Sequence, residues 1–214
     1  MKVGLILSGG LDSTTVLYKL INEGYEVTAI SFYYGQKASK ELMYAQKTCT
    51  KLNIKHLIIN LEQLQKIFNI SSIINTEKDD TSTPKNTVVP SRNTILLELA
   101  TAYAITNDLK EIYCGVHKGD ATDYPDTTPE FIEQINNLNK VNNYTYIPIK
   151  APFINMSKKE VVHQAIKLEV PFNETWSCYI NTEKPCGKCY SCITRQEAIK
   201  QANKELKEEQ QCTN

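Results

Sequence analysis

Short apolar segments alternate with amphipathic segments along the first sixty residues of the chain. Residues 2–7 form an apolar run that Ser-Gly-Gly ends, which predicts a buried strand. Residues 26–32 are rich in β-branched and aromatic side chains and predict a second strand, and residues 54–59 predict a third. Between these runs, residues 12–22 and 39–52 place apolar side chains at helical spacing. The β-α-β-α-β order predicts a parallel sheet with right-handed crossovers.

The alternation of strands and helices returns in the second half of the chain. A capping box, Ser157-Lys158-Lys159-Glu160, opens one helix, which is predicted to end near residue 168. The other predicted elements are helices over 94–107, 129–137 and 191–209 and strands over 111–116 and 144–149. The last helix is rich in charge and is predicted to be exposed. We therefore predict an α/β fold, a Rossmann-like parallel sheet with helices on both faces.

Two polar stretches, residues 75–93 and 117–128, interrupt this pattern. Each follows an apolar segment at the point where the carboxyl edge of the sheet is expected. Because open α/β sheets bind ligands in the crevice at that edge, both stretches are predicted to be lids or binding loops. For the earlier stretch, a solvated surface loop is the alternative.

Composition restricts the class of protein. The 214 residues carry 24 Lys and Arg against 24 Asp and Glu, a net charge of +0, and 41% of them are hydrophobic. This balance is typical of a soluble globular protein and predicts no nucleic-acid partner, because a dedicated nucleic-acid binder would be basic. No apolar run reaches the roughly 20 residues of a membrane helix, so no membrane partner is predicted. We expect a cytoplasmic protein with a single domain over residues 1–214.

Four of the seven cysteines lie within fifteen positions, as Cys178, Cys186, Cys189 and Cys192. Such clustering in a chain without an export signal indicates metal or redox chemistry rather than disulfide bonds. Cys-x2-Cys pairs and a set of four thiolates match a structural zinc site that leaves no open position for catalysis. An iron–sulfur cluster and a redox pair are the alternatives. We predict one structural Zn²⁺ in a small C-terminal segment, residues 176–195, that packs on the domain.

A glycine-rich loop separates the first predicted strand from the first predicted helix. At this position in βα proteins, backbone N–H groups at the helix N-terminus point at a phosphate, and glycines let the phosphate approach. Ser8 and Ser13 could add hydroxyl donors, and Asp12 could cap the helix or help to hold Mg²⁺. The spacing matches neither the Walker loop nor the Gly-x-Gly-x-x-Gly dinucleotide motif. The loop comprises Leu7, Ser8, Gly9, Gly10, Leu11, Asp12, Ser13 and Thr14.

The string Ser8-Gly9-Gly10-Leu11-Asp12-Ser13 resembles the pyrophosphate loop of the N-type ATP pyrophosphatases. The resemblance implies the sheet of the adenine nucleotide alpha-hydrolase-like fold. Enzymes of this kind split ATP between its α and β phosphates and leave AMP on a substrate oxygen, from which a nucleophile displaces it. The loop, residues 7–14, would then bind ATP, with Mg²⁺ sharing the stabilisation of the transition state. Ser8, Asp12 and Ser13 are the catalytic residues that the resemblance implies here.

Further motifs in the same order narrow the resemblance. They include Tyr34-Gly35-Gln36, Val89-Pro90-Ser91-Arg92-Asn93, Gly115-Val116-His117, Tyr124-Pro125-Asp126, Thr175-Trp176-Ser177-Cys178-Tyr179 and Cys186-Gly187-Lys188-Cys189. Together they resemble the 7-cyano-7-deazaguanine synthases of queuosine biosynthesis. Lys37-Ala38 stands where that family commonly has Arg-His, so any role of that histidine has no counterpart here.

This resemblance implies an ATP-dependent carbon–nitrogen ligase. Its substrates would be ATP with Mg²⁺, 7-carboxy-7-deazaguanine and ammonia, and its product would be 7-cyano-7-deazaguanine, formed through an adenylated carboxylate and an adenylated amide. The resemblance also implies one zinc on the four clustered cysteines and a homodimer. A chain of 214 residues leaves no room for a glutaminase domain, so ammonia is expected from solution or from a separate partner.

Arg92 could pair with the substrate carboxylate as a bidentate fork and is also a candidate catalytic residue. Aspartates could read the N–H donors of a guanine-like ring or bind Mg²⁺, and His117 could donate to a phosphate or move a proton. Ordinary roles are the alternatives: Asn93 as the N-cap of the next helix, aspartates near proline as turn formers, and aromatic rings as core. The complete set of candidate substrate-binding residues is Tyr34, Gln36, Arg92, Asn93, His117, Asp120 and Asp126.

Three other functions are consistent with parts of the pattern. A related enzyme could stop at the amide, because the first half-reaction needs the same motifs. A tRNA-base-modifying pyrophosphatase should carry a basic RNA-binding extension, which is not expected in this neutral chain. A zinc-bearing interaction module would have no need of an intact phosphate loop.

Overall fold

Five parallel strands form one sheet within residues 1–75, 77–78 and 80–212, the part of the chain that the computed structural model describes. They are β1 (Lys2–Ile6), β2 (Glu26–Tyr33), β3 (Lys55–Asn60), β4 (Ile112–Tyr113) and β5 (Ile149–Lys150). Their order across the sheet is β3-β2-β1-β4-β5, and every neighbouring pair is parallel. Leu5 of β1 lies opposite Ala29 of β2 and Tyr113 of β4.

The helices connect these strands as the alternating pattern predicts. The helix that follows Ser157 begins with the predicted capping box, since Glu160 N donates to Ser157 Oγ at 3.3 Å and Ser157 N donates to Glu160 Oε2 at 2.6 Å. None of the helices in the described ranges is long and apolar enough to cross a membrane. The helices are α1 (Leu11–Asn22), α2 (Lys40–Lys51), α3 (Gln65–Phe68), α4 (Pro84–Thr87), α5 (Arg92–Thr106), α6 (Lys118–Ala121), α7 (Pro129–Asn142), α8 (Lys158–Lys167) and α9 (Tyr190–Cys212).

Helices cover both faces of the sheet, which confirms the predicted fold class. Leu5 of β1 is buried on one face in a cluster with Val16 of α1 and with side chains of α2 and α8. Gly4 points to the other face, where α5 and α7 pack on β2 and β4. A Cβ on Gly4 would lie 2.4 Å from Ile112 Cδ1, so a larger residue here would force the buried Ile112 side chain to move. Burial of one large aliphatic side chain in these clusters stabilises the fold by about 1.5–3 kcal/mol.

The two strands of the second half are shorter than the sequence predicts. Both have two residues, where strands were expected over 111–116 and 144–149, so those boundaries were wrong. Pro148 has no N–H to donate to a neighbouring strand. At the outer edge of the sheet, Asn136 takes the place of a further strand, because its side chain accepts from Ile149 N at 2.8 Å and donates to Ile149 O at 2.9 Å. A pattern of apolar residues carries no signal for such a side-chain contact.

The last helix, α9, is not exposed on all sides. Ala198 and Ala202 are buried in a cluster with Val162 and Ala165 of α8. Because residues four apart lie on the same face of a helix, these small side chains let the two helices approach closely. The prediction of an exposed helix was therefore wrong for this face, although the predicted helix itself is confirmed.

The order of the strands reverses beside β1. From β1 the chain passes outward to β2 and β3, and it then returns to add β4 and β5 on the other side. Loops at the carboxyl ends of β1 and β4 diverge at such a point and leave a crevice between them, which is where open α/β sheets bind ligands. The predicted phosphate loop, residues 7–14, follows β1 directly and lies at this crevice.

Candidate active site

A cavity of about 300 Å³ opens at the crevice. Its wall combines the phosphate loop, the turn after β2, the segment after β4 and parts of both polar stretches. A second cavity, of about 530 Å³, shares Asp12 and Asp120 with the first and adds His117 and Lys158. Convergent polar groups among apolar walls are typical of a small-molecule site. Lining residues of the first cavity are Ser8, Asp12, Ser13, Tyr34, Glu41, Arg92, Asn93, Asp120 and Asp126.

Serine hydroxyls hold the shape of the phosphate loop. Ser8 Oγ and Ser13 Oγ lie 3.0 Å apart, Ser8 N donates to Ser13 Oγ at 3.2 Å, and Gly10 N donates to Ser8 Oγ at 3.2 Å. Gly10 precedes α1, and no side chain caps that helix N-terminus. The first N–H groups of α1 are therefore available to an anion. The remaining predicted members, which are buried beneath the loop, are Leu7, Leu11 and Thr14.

Gly9 is the point at which the phosphate loop touches α2. Its φ is +86°, and a Cβ there would lie 2.1 Å from Glu41 O and 2.8 Å from Ala45 N. We expect Gly9→Ala to lower the free energy of unfolding by at least about 3 kcal/mol, because left-handed strain adds to a clash with helix backbone. Gly24 is the matched control, since its φ is +78° and nothing lies within 4 Å of its added Cβ. Gly24→Ala should cost only about 1–2 kcal/mol in urea unfolding, and equal losses would contradict the expectation.

Asp12 and Lys158 join the phosphate loop to the start of α8. Lys158 Nζ donates to both carboxylate oxygens of Asp12, at 2.6 and 2.5 Å. Burial alone would raise the pKa of Asp12, but the ammonium of Lys158 holds it below its ordinary value. The carboxylate is therefore ionised at neutral pH. Lys158 was recognised in the sequence only as part of a capping box, because its partner lies 146 positions away.

His117 lies beside this pair and is 3% exposed. Its Nε2 is 3.4 Å from Asp120 Oδ2 and 3.8 Å from Asp12 Oδ1, yet neither ring nitrogen has a hydrogen-bond partner within the described residues. Burial raises the pKa of Asp120, an effect that His117 opposes and the negative charge of Asp12 reinforces. A buried imidazole without a partner, set among charged groups at a cavity, suits a site that receives a polar ligand.

Arg92 begins α5 and lines the cavity. Its Nη1 donates to Tyr34 Oη at 3.3 Å, and its guanidinium lies 5.9 Å from the centre of the Tyr34 ring. Asn93 follows it, and Asn93 Nδ2 donates to Asp126 O at 3.1 Å. The N-cap of α5 is Ser91, with φ +56°, so the alternative that Asn93 caps this helix is wrong. The structure thus brings four predicted substrate residues to one wall.

Gln36 is a predicted substrate residue that does not line the cavity. Its Oε1 accepts from Tyr34 N at 2.8 Å, and its Nε2 donates to Phe32 O at 3.0 Å and to Glu41 Oε1 at 3.1 Å. Its amide is therefore committed to shaping the turn after β2. Glu41 does line the cavity, but no signal in the sequence singles it out. A glutamate in the first turn of a helix is an ordinary complement to the helix dipole.

The four clustered cysteines meet in space as their spacing predicts. Their Sγ atoms all lie within 4.8 Å of one another. Backbone N–H groups point at two of the sulfurs, with Cys186 N 3.4 Å from Cys178 Sγ and Cys189 N 3.3 Å from Cys186 Sγ. Burial raises the pKa of Cys178 and of Cys192. Burial acts in the same direction on Cys186, but the N–H groups of Lys188 and Cys189 lower its pKa to about 7. Because metals bind the thiolate, this arrangement is suited to a metal ion.

The cysteine cluster packs directly behind the phosphate loop. Trp176 N donates to Gly9 O at 2.9 Å, and Trp176 Nε1 donates to Cys178 O at 2.9 Å. The indole stacks on Tyr44 of α2, with ring centres 5.7 Å apart and planes 25° apart. Arg195 Nη1 donates to Ser177 Oγ at 2.9 Å on the other side. A change in the cluster can therefore reach the loop through a single tryptophan.

Comparison with known proteins gives concordant sequence matches. The family described as queuosine biosynthesis protein QueC matches residues 2–203. The 7-cyano-7-deazaguanine synthase 2 of Colwellia psychrerythraea is 41% identical over 94% of this chain and 94% of its own. The 7-cyano-7-deazaguanine synthase of Caldicellulosiruptor bescii is 40% identical over 94% of this chain and 93% of its own. The family match includes both the phosphate loop and the cysteine cluster.

Solved structures of lower identity share the fold. The NMN synthetase of Francisella tularensis superposes with a TM-score of 0.53 at 17% identity, covering 94% of this chain and 84% of that one. The U34-tRNA thiolase NcsA of Methanococcus maripaludis, solved with its 4Fe–4S cluster, gives 0.53 at 20% identity over 97% and 67%. These likenesses support the predicted parallel sheet and carry no information about substrate.

Proposed function

The chain belongs to the family of the queuosine biosynthesis protein QueC, and from this premise we propose that it converts 7-carboxy-7-deazaguanine and ammonia to 7-cyano-7-deazaguanine with ATP. It is an ATP-dependent ligase of queuosine biosynthesis. Relatives of about 40% identity carry the synthase activity in their names, whereas the tRNA thiolase is similar in fold alone. The alternative that the chain modifies a tRNA base is therefore not favoured.

One observation carries the proposal at the level of the site. The cavity that holds the uncapped N-terminus of α1 and the serines of the phosphate loop also holds the Arg92 guanidinium. The helix N-terminus suits the phosphates of ATP, and a guanidinium suits a carboxylate. ATP and a carboxylic acid can therefore meet in this cavity, which adenylation requires.

Adenylation of the carboxylate is the first step that we assign to the site. A carboxylate oxygen attacks the α-phosphorus, the bond to the bridging β-phosphate oxygen breaks, and pyrophosphate leaves. The N–H groups of α1 and the hydroxyls of Ser8 and Ser13 bind the charge that grows on the leaving group. Asp12 holds Lys158 beside the loop, where its ammonium offsets the same charge. Asp12 and Asp120 supply oxygen ligands of the kind that Mg²⁺ prefers, and that ion would neutralise phosphate charge.

Amination and dehydration follow in the same cavity. Ammonia attacks the acyl carbon, AMP leaves, and loss of a proton gives the amide. The amide oxygen then attacks the α-phosphorus of a second ATP, pyrophosphate leaves, and the nitrogen gives up one proton. Loss of AMP and of the remaining N–H proton leaves the nitrile. Arg92 would orient the carboxylate for the first adenylation. His117, buried between two carboxylates, is our candidate for taking up a released proton.

We assign a single structural zinc ion to the cysteine cluster. Tetrahedral Zn²⁺ with Zn–S bonds of about 2.3 Å separates its sulfurs by about 3.8 Å, and the four Sγ atoms lie within 4.8 Å of one another. The thiolates of a 4Fe–4S cluster bind four separate irons and stand further apart. Four protein sulfurs would fill the coordination of the ion, so its role is to hold the segment and not to react.

The remaining parts of the proposal concern the organisation of the enzyme. Residues 1–214 would act as one domain with 176–195 as its zinc-binding segment. A homodimer is expected from the family resemblance, and a cytoplasmic location agrees with the use of ATP. The neutral charge supports small-molecule substrates without a nucleic-acid partner.

A product assay tests this function. Purified protein is incubated with ATP, Mg²⁺, ammonium and 7-carboxy-7-deazaguanine, and the mixture is analysed by mass spectrometry. We expect the nitrile together with two AMP per product, because two oxygens of the substrate must leave. Amide with one AMP would replace this proposal with an enzyme that stops halfway. Absence of AMP from folded, metal-loaded protein would reject the carboxylate as substrate.

A further inference from the structure

Glu41 gives the cavity a carboxylate that the proposed mechanism does not use. It lies in the first turn of α2, and its backbone carbonyl is in contact with Gly9 of the phosphate loop. Its Oε1 accepts one hydrogen bond, from Gln36 Nε2 at 3.1 Å. An ionised carboxylate can accept about four hydrogen bonds. The acceptor capacity that Gln36 leaves unfilled is therefore available to a molecule in the cavity.

The surroundings of Glu41 favour a ligand that donates hydrogen bonds. Burial raises the pKa of this carboxyl to about 7, against the opposing effects of the Gln36 hydrogen bond and the Arg92 charge. Gln36 is the one donor to this carboxylate among the described residues, and partial burial of a carboxylate without further donors is costly. Donors supplied by a ligand would remove this cost and favour the ionised form.

We propose that Glu41 determines base specificity by accepting hydrogen bonds from the ring N–H and the adjacent amino group of the deazaguanine. This inference rests on the proposed function. The two donors lie side by side on a guanine-type ring, so one carboxylate can accept both. The equivalent edge of adenine presents an acceptor beside its amino group, and ATP cannot satisfy both oxygens. Arg92 in the same cavity would take the carboxylate at the other end of the ring.

The charges of the cavity support this orientation. Arg92 and Glu41 are coupled electrostatically across one cavity, and the substrate carries its negative group and its N–H donors at different ends. Gln36 contributes as a positioning residue, because it holds Glu41 Oε1 while its own amide is fixed by Tyr34 N and Phe32 O. Asp126 is the competing acceptor, since it lines the same cavity.

The test compares two substrates in four proteins. We would measure kcat/KM for 7-carboxy-7-deazaguanine and for its analogue without the 2-amino group, in the wild type, Glu41→Gln, Asp126→Asn and the surface control Glu23→Gln. The wild type should prefer the natural base by about 100-fold or more, because a site built for a donor rejects the analogue that lacks it. Glu41→Gln should lower kcat/KM for the natural base by about 100-fold and for the analogue by less than about 10-fold. The KM for ATP should stay unchanged.

The outcomes separate this inference from the proposed function. Equal losses of kcat/KM for both substrates in Glu41→Gln would show that Glu41 only supports the turn after β2. Loss of discrimination between the two substrates in Asp126→Asn alone would show that Asp126 recognises the base. Either result would overturn the inference while product formation by the wild type keeps the function. A wild type that neither binds nor converts the deazaguanine would overturn both. Glu41→Asp, which keeps the carboxylate, should retain discrimination, and circular dichroism checks that each variant is folded.

Discussion

Replacing Asp12 with asparagine is expected to slow AMP formation by about 100- to 1000-fold while the protein stays folded. Asp12 is ionised and holds Lys158 through both carboxylate oxygens beside the start of α1. Asparagine keeps the shape but cannot accept on both atoms, so Lys158 loses its position near the departing pyrophosphate. It also removes one oxygen ligand for Mg²⁺. The measurement is the initial rate of AMP release at saturating ATP and 7-carboxy-7-deazaguanine.

Asp108 provides the control for this substitution. It is exposed at the end of α5 with φ +56°, a conformation that asparagine also tolerates, so Asp108→Asn makes the same chemical change far from the cavity. We expect full activity from it, and a loss of less than about 2 kcal/mol in the free energy of unfolding for Asp12→Asn. Unchanged turnover in Asp12→Asn would contradict the proposed role of the phosphate loop in AMP formation.

The parts of this site that are local in sequence were predictable, and the parts that depend on distant contacts were not. The phosphate loop occupies 7–14 and the cysteine cluster 178–192, so the sequence could predict a phosphate site and a metal site from residues that lie close together in the chain. Glu41 reaches the first cavity and Lys158 the second through packing of α2 and α8 on the loop. In the sequence, both look like ordinary residues at the start of a helix.

The same contrast applies to the fold. The first three strands and their helices are confirmed, because each is a continuous apolar or amphipathic segment. At β4 and β5 the pattern overestimates the strands, and at the outer edge the backbone of Ile149 in β5 is satisfied by the Asn136 side chain rather than by a further strand. The buried face of α9 was missed because two alanines among charged residues give a weak periodic signal.

Loss of the metal should have the largest effect on stability. We expect Cys186→Ala to reduce bound metal from about one ion per chain to nearly none and to lower the free energy of unfolding by more than about 4 kcal/mol. Activity should fall as well, because Trp176 connects the cluster to Gly9 of the phosphate loop. Plasma mass spectrometry of the purified protein gives the metal content, and zinc is the element that we expect. Urea unfolding gives the stability.

Cys49 is the matched control for the cysteine cluster. It is 1% exposed in α2 and belongs to the core on one face of the sheet, outside the cluster. Cys49→Ala removes the same atom from a buried position, so it should cost about 1 kcal/mol and leave the metal content unchanged. Equal destabilisation in the two variants, with metal retained in both, would mean that the four sulfurs are only core packing. Full activity after metal loss would instead contradict the proposed effect of the cluster on the phosphate loop through Trp176. The loop would then hold its shape without the cluster behind it.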